Sequence, residues 1–224
     1  MRQNVASLWA LIKKDLIQEW RSKDIISAML AFAVLTLFIF NYALSLSPQA
    51  QATIATGIVW VLVVFAGTLG INRSFSAEQD QGCFDALLLG APDLSLVYLA
   101  KMLSNFLIMA LLALFLLPVY SLLYNFSLFN GLFVGLILLG AWAYSAMATL
   151  LAGLSVQTRM RDMLLPVLLF PLLMPVNIAV VKAGTAILEG LPFADISIWF
   201  TLLAAYAVII TTISSMVFEY VIKE

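Results

Sequence analysis

The chain has 224 residues, 64% of them hydrophobic and 10% charged, with a net charge of −1 and a mean hydropathy of +1.08. A soluble domain carries about 25% charged residues, so the charge here is too sparse to coat a water-facing surface, and the composition is that of an integral membrane protein. Near-neutrality offers nucleic acid no basic field, and the absence of histidine removes the commonest metal ligand and general base.

The first element is VASLWALIKKDLIQEWRSK, residues 5–23. Val5, Leu8, Trp9, Ile12, Leu16 and Trp20 recur at helical spacing, with Lys13, Lys14 and Arg21 off that face. The pattern predicts an amphipathic helix lying in the membrane interface, its indoles at headgroup depth. A soluble helix packed on a partner is the alternative, and Glu19 interrupts the stripe. These mixed-charge residues precede the first apolar run, unlike the short basic start of a cleaved signal.

Six apolar runs then approach the roughly 20 residues that cross a bilayer. They are Ile25–Leu46, Ala52–Ile71, Met102–Leu123, Gly131–Leu154, Met163–Val181 and Ser197–Val217. Backbone groups in lipid must bond to one another, so each run is read as a helix. The expected fold is all-α: a single polytopic domain of six spans after an interfacial helix.

Arg2, Lys13, Lys14, Arg21 and Lys23 precede the first span. Arg73, Lys101, Arg159, Arg161 and Lys223 flank the same side of later spans, and only Lys182 opposes them. The positive-inside rule places both termini in the cytoplasm. The single Cys83 then faces a reducing compartment and reads as a small apolar filler.

Between their ends the runs hold no Asp, Glu, Lys or Arg, which argues against an ion-coupled carrier. Asn41, Asn105 and Asn177 are the strongest polar groups there. They read as interhelical hydrogen bonds, with substrate contact as the alternative. In the fourth run Gly131, Gly135, Ala141, Ser145, Thr149 and Gly153 form a small-residue face. Such a face suits close packing within the protein or against a second copy. In the fifth, Pro166, Pro171 and Pro175 each remove a backbone donor, which predicts a kinked or broken helix. That kink is either a hinge or simply a shape. No paired carboxylates, GxSxG or Walker lysine loop are present, so no catalytic residue, bound cofactor or metal site is expected.

One stretch breaks the apolar pattern: RSFSAEQDQGCFDALLLGAPDLSLVYLAK, residues 73–101. Ser76 followed by Gln79 has the form of a capping box, and Glu78 and Asp80 suit a first helical turn. Phe84, Leu87 and Leu88 make an apolar face, Gly82 is a local weakness, and Gly90 with Pro92 read as a stop. Asp93 is placed to cap the next helix. The spacing predicts a short cytoplasmic helix over 76–89. It is either a lever through which an outside motor moves two spans or a solvated connector.

The stretch from Phe75 to Asn105 resembles the corresponding segment of the CcmB family. The shared features are Glu78 and Asp80, Gly82, Asp85, Leu87 and Leu88, Pro92, and Leu99–Ala100–Lys101. Similarity continues in GIVWVLVVFAGTLGINRSF and TRMRDMLLPVLLFPLLMPVNIAV. The resemblance implies a non-catalytic permease subunit of the cytochrome c maturation ABC complex, in a bacterial inner membrane. Its implied partners are a CcmA-type ATPase, a second copy of itself, CcmC, CcmD and the haem chaperone CcmE. ATP would be bound by the ATPase and haem handled by the complex. Glu78, Asp80, Gly82, Phe84, Asp85, Leu87, Leu88 and Pro92 become ATPase-coupling candidates. Direct export of haem, a lipid or another amphiphile through a dimer is the alternative, and a passive scaffold for haem-handling partners is a third. Without histidine, only weaker ligands such as Met or Tyr remain for haem iron.

Overall fold

Long apolar runs leave the backbone no partner but itself, and all the described secondary structure is helical. The structure is a computed structural model and describes residues 2–44, 48–80, 94–156 and 161–222. In chain order the helices are α1 (Arg2–Ser22), α2 (Asp24–Ala43), α3 (Pro48–Asp80), α4 (Leu94–Tyr124), α5 (Gly131–Val156), α6 (Arg161–Leu172), α7 (Met174–Leu188) and α8 (Phe193–Ile222). Five of these are long and apolar enough to cross a membrane, and α6 with α7, bent by 56°, brings the number to six when the pair is counted as one broken span. The chain is a multi-pass membrane protein.

Burial sorts the spans into centre and rim. In α3 and α5, 72% and 67% of the most apolar stretch lies inside the protein, against 22% in α2 and 17% in α8. Leu35, Ile39, Leu111, Val208 and Ile209 point outward from α2, α4 and α8, as a lipid-facing belt requires. The centre is tied by hydroxyls. Thr68 and Tyr144 share a hydrogen bond between α3 and α5, and Tyr144 also donates to the Val64 carbonyl at 3.1 Å.

Local chemistry sets the corners. A single residue, Lys23, separates α1 from α2 and takes a left-handed conformation, φ 53°. Between α4 and α5, Asn125 is also left-handed, φ 49°, a role asparagine tolerates. Asn130 then accepts a 2.9 Å bond from the Leu132 N–H and opens α5.

One expectation changes. No helix starts at Ser76: α3 runs unbroken through it to Asp80. Glu78 and Asp80 therefore lie within the described length of α3 rather than in the first turn of a new helix. The reason is that the turns on both sides of Ser76 are helix-compatible, so an internal serine has no free N–H group to cap. In α1 the face packed against the protein includes Glu19. Ile12 is buried, but Trp9 is 65% exposed and Glu19 only 6%, so the residue that interrupts the apolar stripe is among the most buried. α4 begins at Leu94, the residue after Asp93, where the next helix was expected to start before entering the third span.

Candidate functional site

Two polar places stand out in this apolar bundle. The first lies at the end where α1 meets α3 and α4. Asp15 of α1 is paired with Lys101 of α4, Oδ2 to Nζ 3.8 Å, and both side chains are almost wholly covered. The Lys101 ammonium also sits 5.1 Å from the centroid of the Phe75 ring on α3, where the ring's negative face attracts it. A cavity of about 10 Å³ between Asp15, Glu19, Ser74, Lys101 and Asn105 has room for about one water. One turn deeper, Asn105 donates to Thr149 of α5 at 2.9 Å. Three helices and both signs of charge therefore converge on Lys101. Taking two charges out of water is costly unless each meets a partner, and here they meet each other, with the more exposed Lys14 also 3.4 Å from Asp15.

The second lies where the fifth span breaks. Pro171 and Pro175 flank Leu173, the residue between α6 and α7, and cannot supply the donors a continuous helix needs. The Leu172 carbonyl accepts a 2.8 Å bond from the Tyr206 hydroxyl on α8. Beside the break, the Trp60 indole of α3 donates to Asn177 Oδ1 on α7 at 2.9 Å. Trp60 is seated over Gly140 of α5, where a Cβ would lie 2.7 Å from the indole. Phe65 of α3 and Phe170 of α6 pack ring on ring, centroids 5.0 Å apart. These side chains line a half-open cavity of about 270 Å³. At the far end of α3, Thr53 donates to Glu189 at 3.0 Å and accepts, through its carbonyl, from Thr185.

All three asparagines bond between helices, Asn41 to the Leu123 carbonyl at 3.2 Å being the third. The small-residue face divides. Ala141, Ser145 and Thr149 are fully buried, and Gly153 lies against Phe218 of α8, where a Cβ would come within 2.6 Å of the ring. A Cβ on Gly131 or Gly135 would meet nothing within 4 Å. Gly82, Phe84, Asp85, Leu87, Leu88, Gly90, Pro92 and Asp93 lie outside the described residues, as does Cys83; for Glu78 and Asp80 the backbone alone is described. Sequence reasoning read Lys101 as a flanking charge and as part of the shared Leu99–Ala100–Lys101 feature, not as a buried ion-pair partner, and did not single out Asp15; the acidic residue inside the α1 stripe was the available signal.

A family model described as "CcmB protein" matches residues 6–223. The chain is 29% identical to "Heme exporter protein B" of Pseudomonas aeruginosa over 81% of its own length and 82% of the relative's. It is 29% identical to the protein of the same name from Haemophilus influenzae, covering 75% and 76%. A third such protein, from Bradyrhizobium diazoefficiens, is 27% identical over 83% and 84%.

Proposed function

The chain belongs to the CcmB family, and on that premise we propose that it is the membrane-spanning, non-catalytic permease subunit of an ABC transporter serving haem handling in cytochrome c biogenesis. The relatives' name, haem exporter, supports the haem connection. In this reading the chain sits in a bacterial inner membrane with both termini in the cytoplasm. A CcmA-type ATPase binds and hydrolyses ATP, and a pair of these chains turns that into release of haem-loaded CcmE from CcmC, with CcmD in the assembly.

The observation that carries the reading is the stiffness of what flanks residues 81–93. α3 is one helix of 33 residues, about 50 Å long at 1.5 Å per residue. The hydrocarbon core is only about 30 Å thick, so the rod outreaches the bilayer. On the other flank α4 is packed from its first turns: Leu94, Val97 and Tyr98 are buried. Lys101, two turns in, is held to Asp15 of α1. A push on the segment between these two rods reaches three helices without first taking up slack in a loop.

Replacing Phe84, Leu87 and Leu88 together by alanine tests this in cells carrying the whole complex. The expected result is loss of the ATPase from the purified chain, or loss of its response to the permease, with cytochrome c maturation falling accordingly. Normal maturation in the triple variant overturns it. A second reading, export of haem or another amphiphile directly through the dimer, is favoured by the relatives' name. It would be selected by transport from permease and ATPase reconstituted alone.

A further inference from the structure

The cavity at the broken span has the chemistry of a ligand site. It is lined by Trp60, Val64, Phe65, Phe170, Asn177 and Val181, with Val61 at its edge. Trp60 to Phe65 fall in the middle third of the apolar stretch Ala50–Ser76, so the cavity lies near the centre of the bilayer. Discontinuous helices at that depth are where membrane proteins build small-molecule sites, because irregular backbone is tolerated only beside a cavity or inside protein.

The hydrogen bond to Trp60 fixes which way the Asn177 amide faces. An indole N–H can only donate, so the amide oxygen must be the atom turned toward it. Both amide N–H donors then lie on the opposite edge, and among the described residues no acceptor meets them. The site therefore offers donors to whatever enters. None of its lining residues is charged, and a charged guest at this depth would be costly. The aromatic walls favour a flat ring, which can stack or pack edge-on. Val61 and Phe65 are 41% and 45% exposed on the lipid-facing side, which gives a tail a way out. At about 270 Å³ the cavity falls below the roughly 300–1,000 Å³ of ordinary small-molecule sites. It suits one ring rather than a macrocycle.

We infer that this cavity binds a neutral, ring-bearing lipid through a carbonyl oxygen, the chemistry of a membrane quinone, entering sideways from the bilayer. The carbonyl accepts from the Asn177 amide, the ring lies against Phe65 and Phe170, and the tail stays in lipid. This is independent of the ATPase reading, since it uses no residue of the segment between α3 and α4.

The test uses the purified full chain in lipid nanodiscs with tritiated decyl-benzoquinone. Binding is expected to saturate and to be displaced by unlabelled decyl-benzoquinone but not by decylbenzene, which has the ring and tail without the carbonyls. Val181→Phe fills the cavity without removing the Trp60–Asn177 bond, and Asn177→Leu removes the donors. Each should weaken binding about tenfold or more, the loss of roughly one hydrogen bond or ring contact. Where Val181→Phe fails to fold, Phe170→Leu, at a half-buried position, decides by the same criterion. Uptake that does not saturate, equal displacement by decylbenzene, or unchanged affinity in the folded cavity variant overturns the inference.

Discussion

The Lys101 junction and the broken fifth span solve the same problem, a polar group that cannot stay unpartnered in an apolar bundle, in opposite ways. At the junction the groups are ionised: Asp15 and Lys101 pair, with Phe75 under the ammonium. At the break they are neutral: Tyr206 meets the Leu172 carbonyl and Trp60 meets Asn177. Depth explains the difference. The junction lies at the end of the bundle, where a small polar cavity leaves room for water, whereas the break lies at mid-span, where charge is too expensive. The energetic consequence differs as well. Removing one member of a buried ion pair strands the other at a cost of about 3–5 kcal/mol. A hydrogen bond between membrane helices is worth only about 0.6 kcal/mol on average, up to about 1.7.

The two regions should differ most in their response to changes at Lys101. Lys101→Met should destabilise the chain by up to about 3–5 kcal/mol, reduced by the partly exposed Lys14 that still lies 3.4 Å from Asp15, seen as a lower thermal midpoint in detergent. The double variant with Asp15→Leu should regain part of the loss, because Asp15 is then no longer left without its cation, although Glu19 stays buried beside it. A double variant no more stable than the single one would mean the ion pair is not what holds the junction. The next effect is at the seat of Trp60. Gly140→Ala puts a Cβ 2.7 Å from the indole and 2.8 Å from Val180, an overpacking cost of about 1–3 kcal/mol in the same melt. The smallest is Tyr206→Phe, which removes only the hydroxyl at Leu172. It should cost about 0.6–1.7 kcal/mol and leave the salt dependence of unfolding untouched. Lys101→Met, by contrast, should make unfolding less sensitive to salt, and equal salt responses in the two variants would erase the distinction drawn here.

What could be read from the sequence follows the same division. The neutral, mid-span features were visible, because apolar length announces spans, prolines announce the break, and an asparagine in a greasy run has few alternatives to bonding a neighbouring helix. The junction was not. Asp15 and Lys101 are 86 residues apart, and a lysine at the foot of a span normally reads as a topology marker facing water. Only Glu19, misplaced on the apolar face of α1, hinted that this face seeks a polar partner. Ser76 misled for a different reason. Its spacing to Gln79 has the form of a helix start, but capping matters only where N–H groups are free, and the turns before Ser76 already occupy them.

The hydroxyl that closes the break comes from α8, a helix synthesised after it. α8 also places Phe218 against Gly153 and Tyr98 and takes the Trp142 indole through Thr211. While the nascent chain leaves the translocon, the bent span therefore emerges with its Leu172 carbonyl facing hydrocarbon and stays unfinished until a later segment docks. Biogenesis of this bundle runs from back to front at its most awkward point, and a ribosome stalled before Tyr206 would leave an insertion intermediate open at the fifth span.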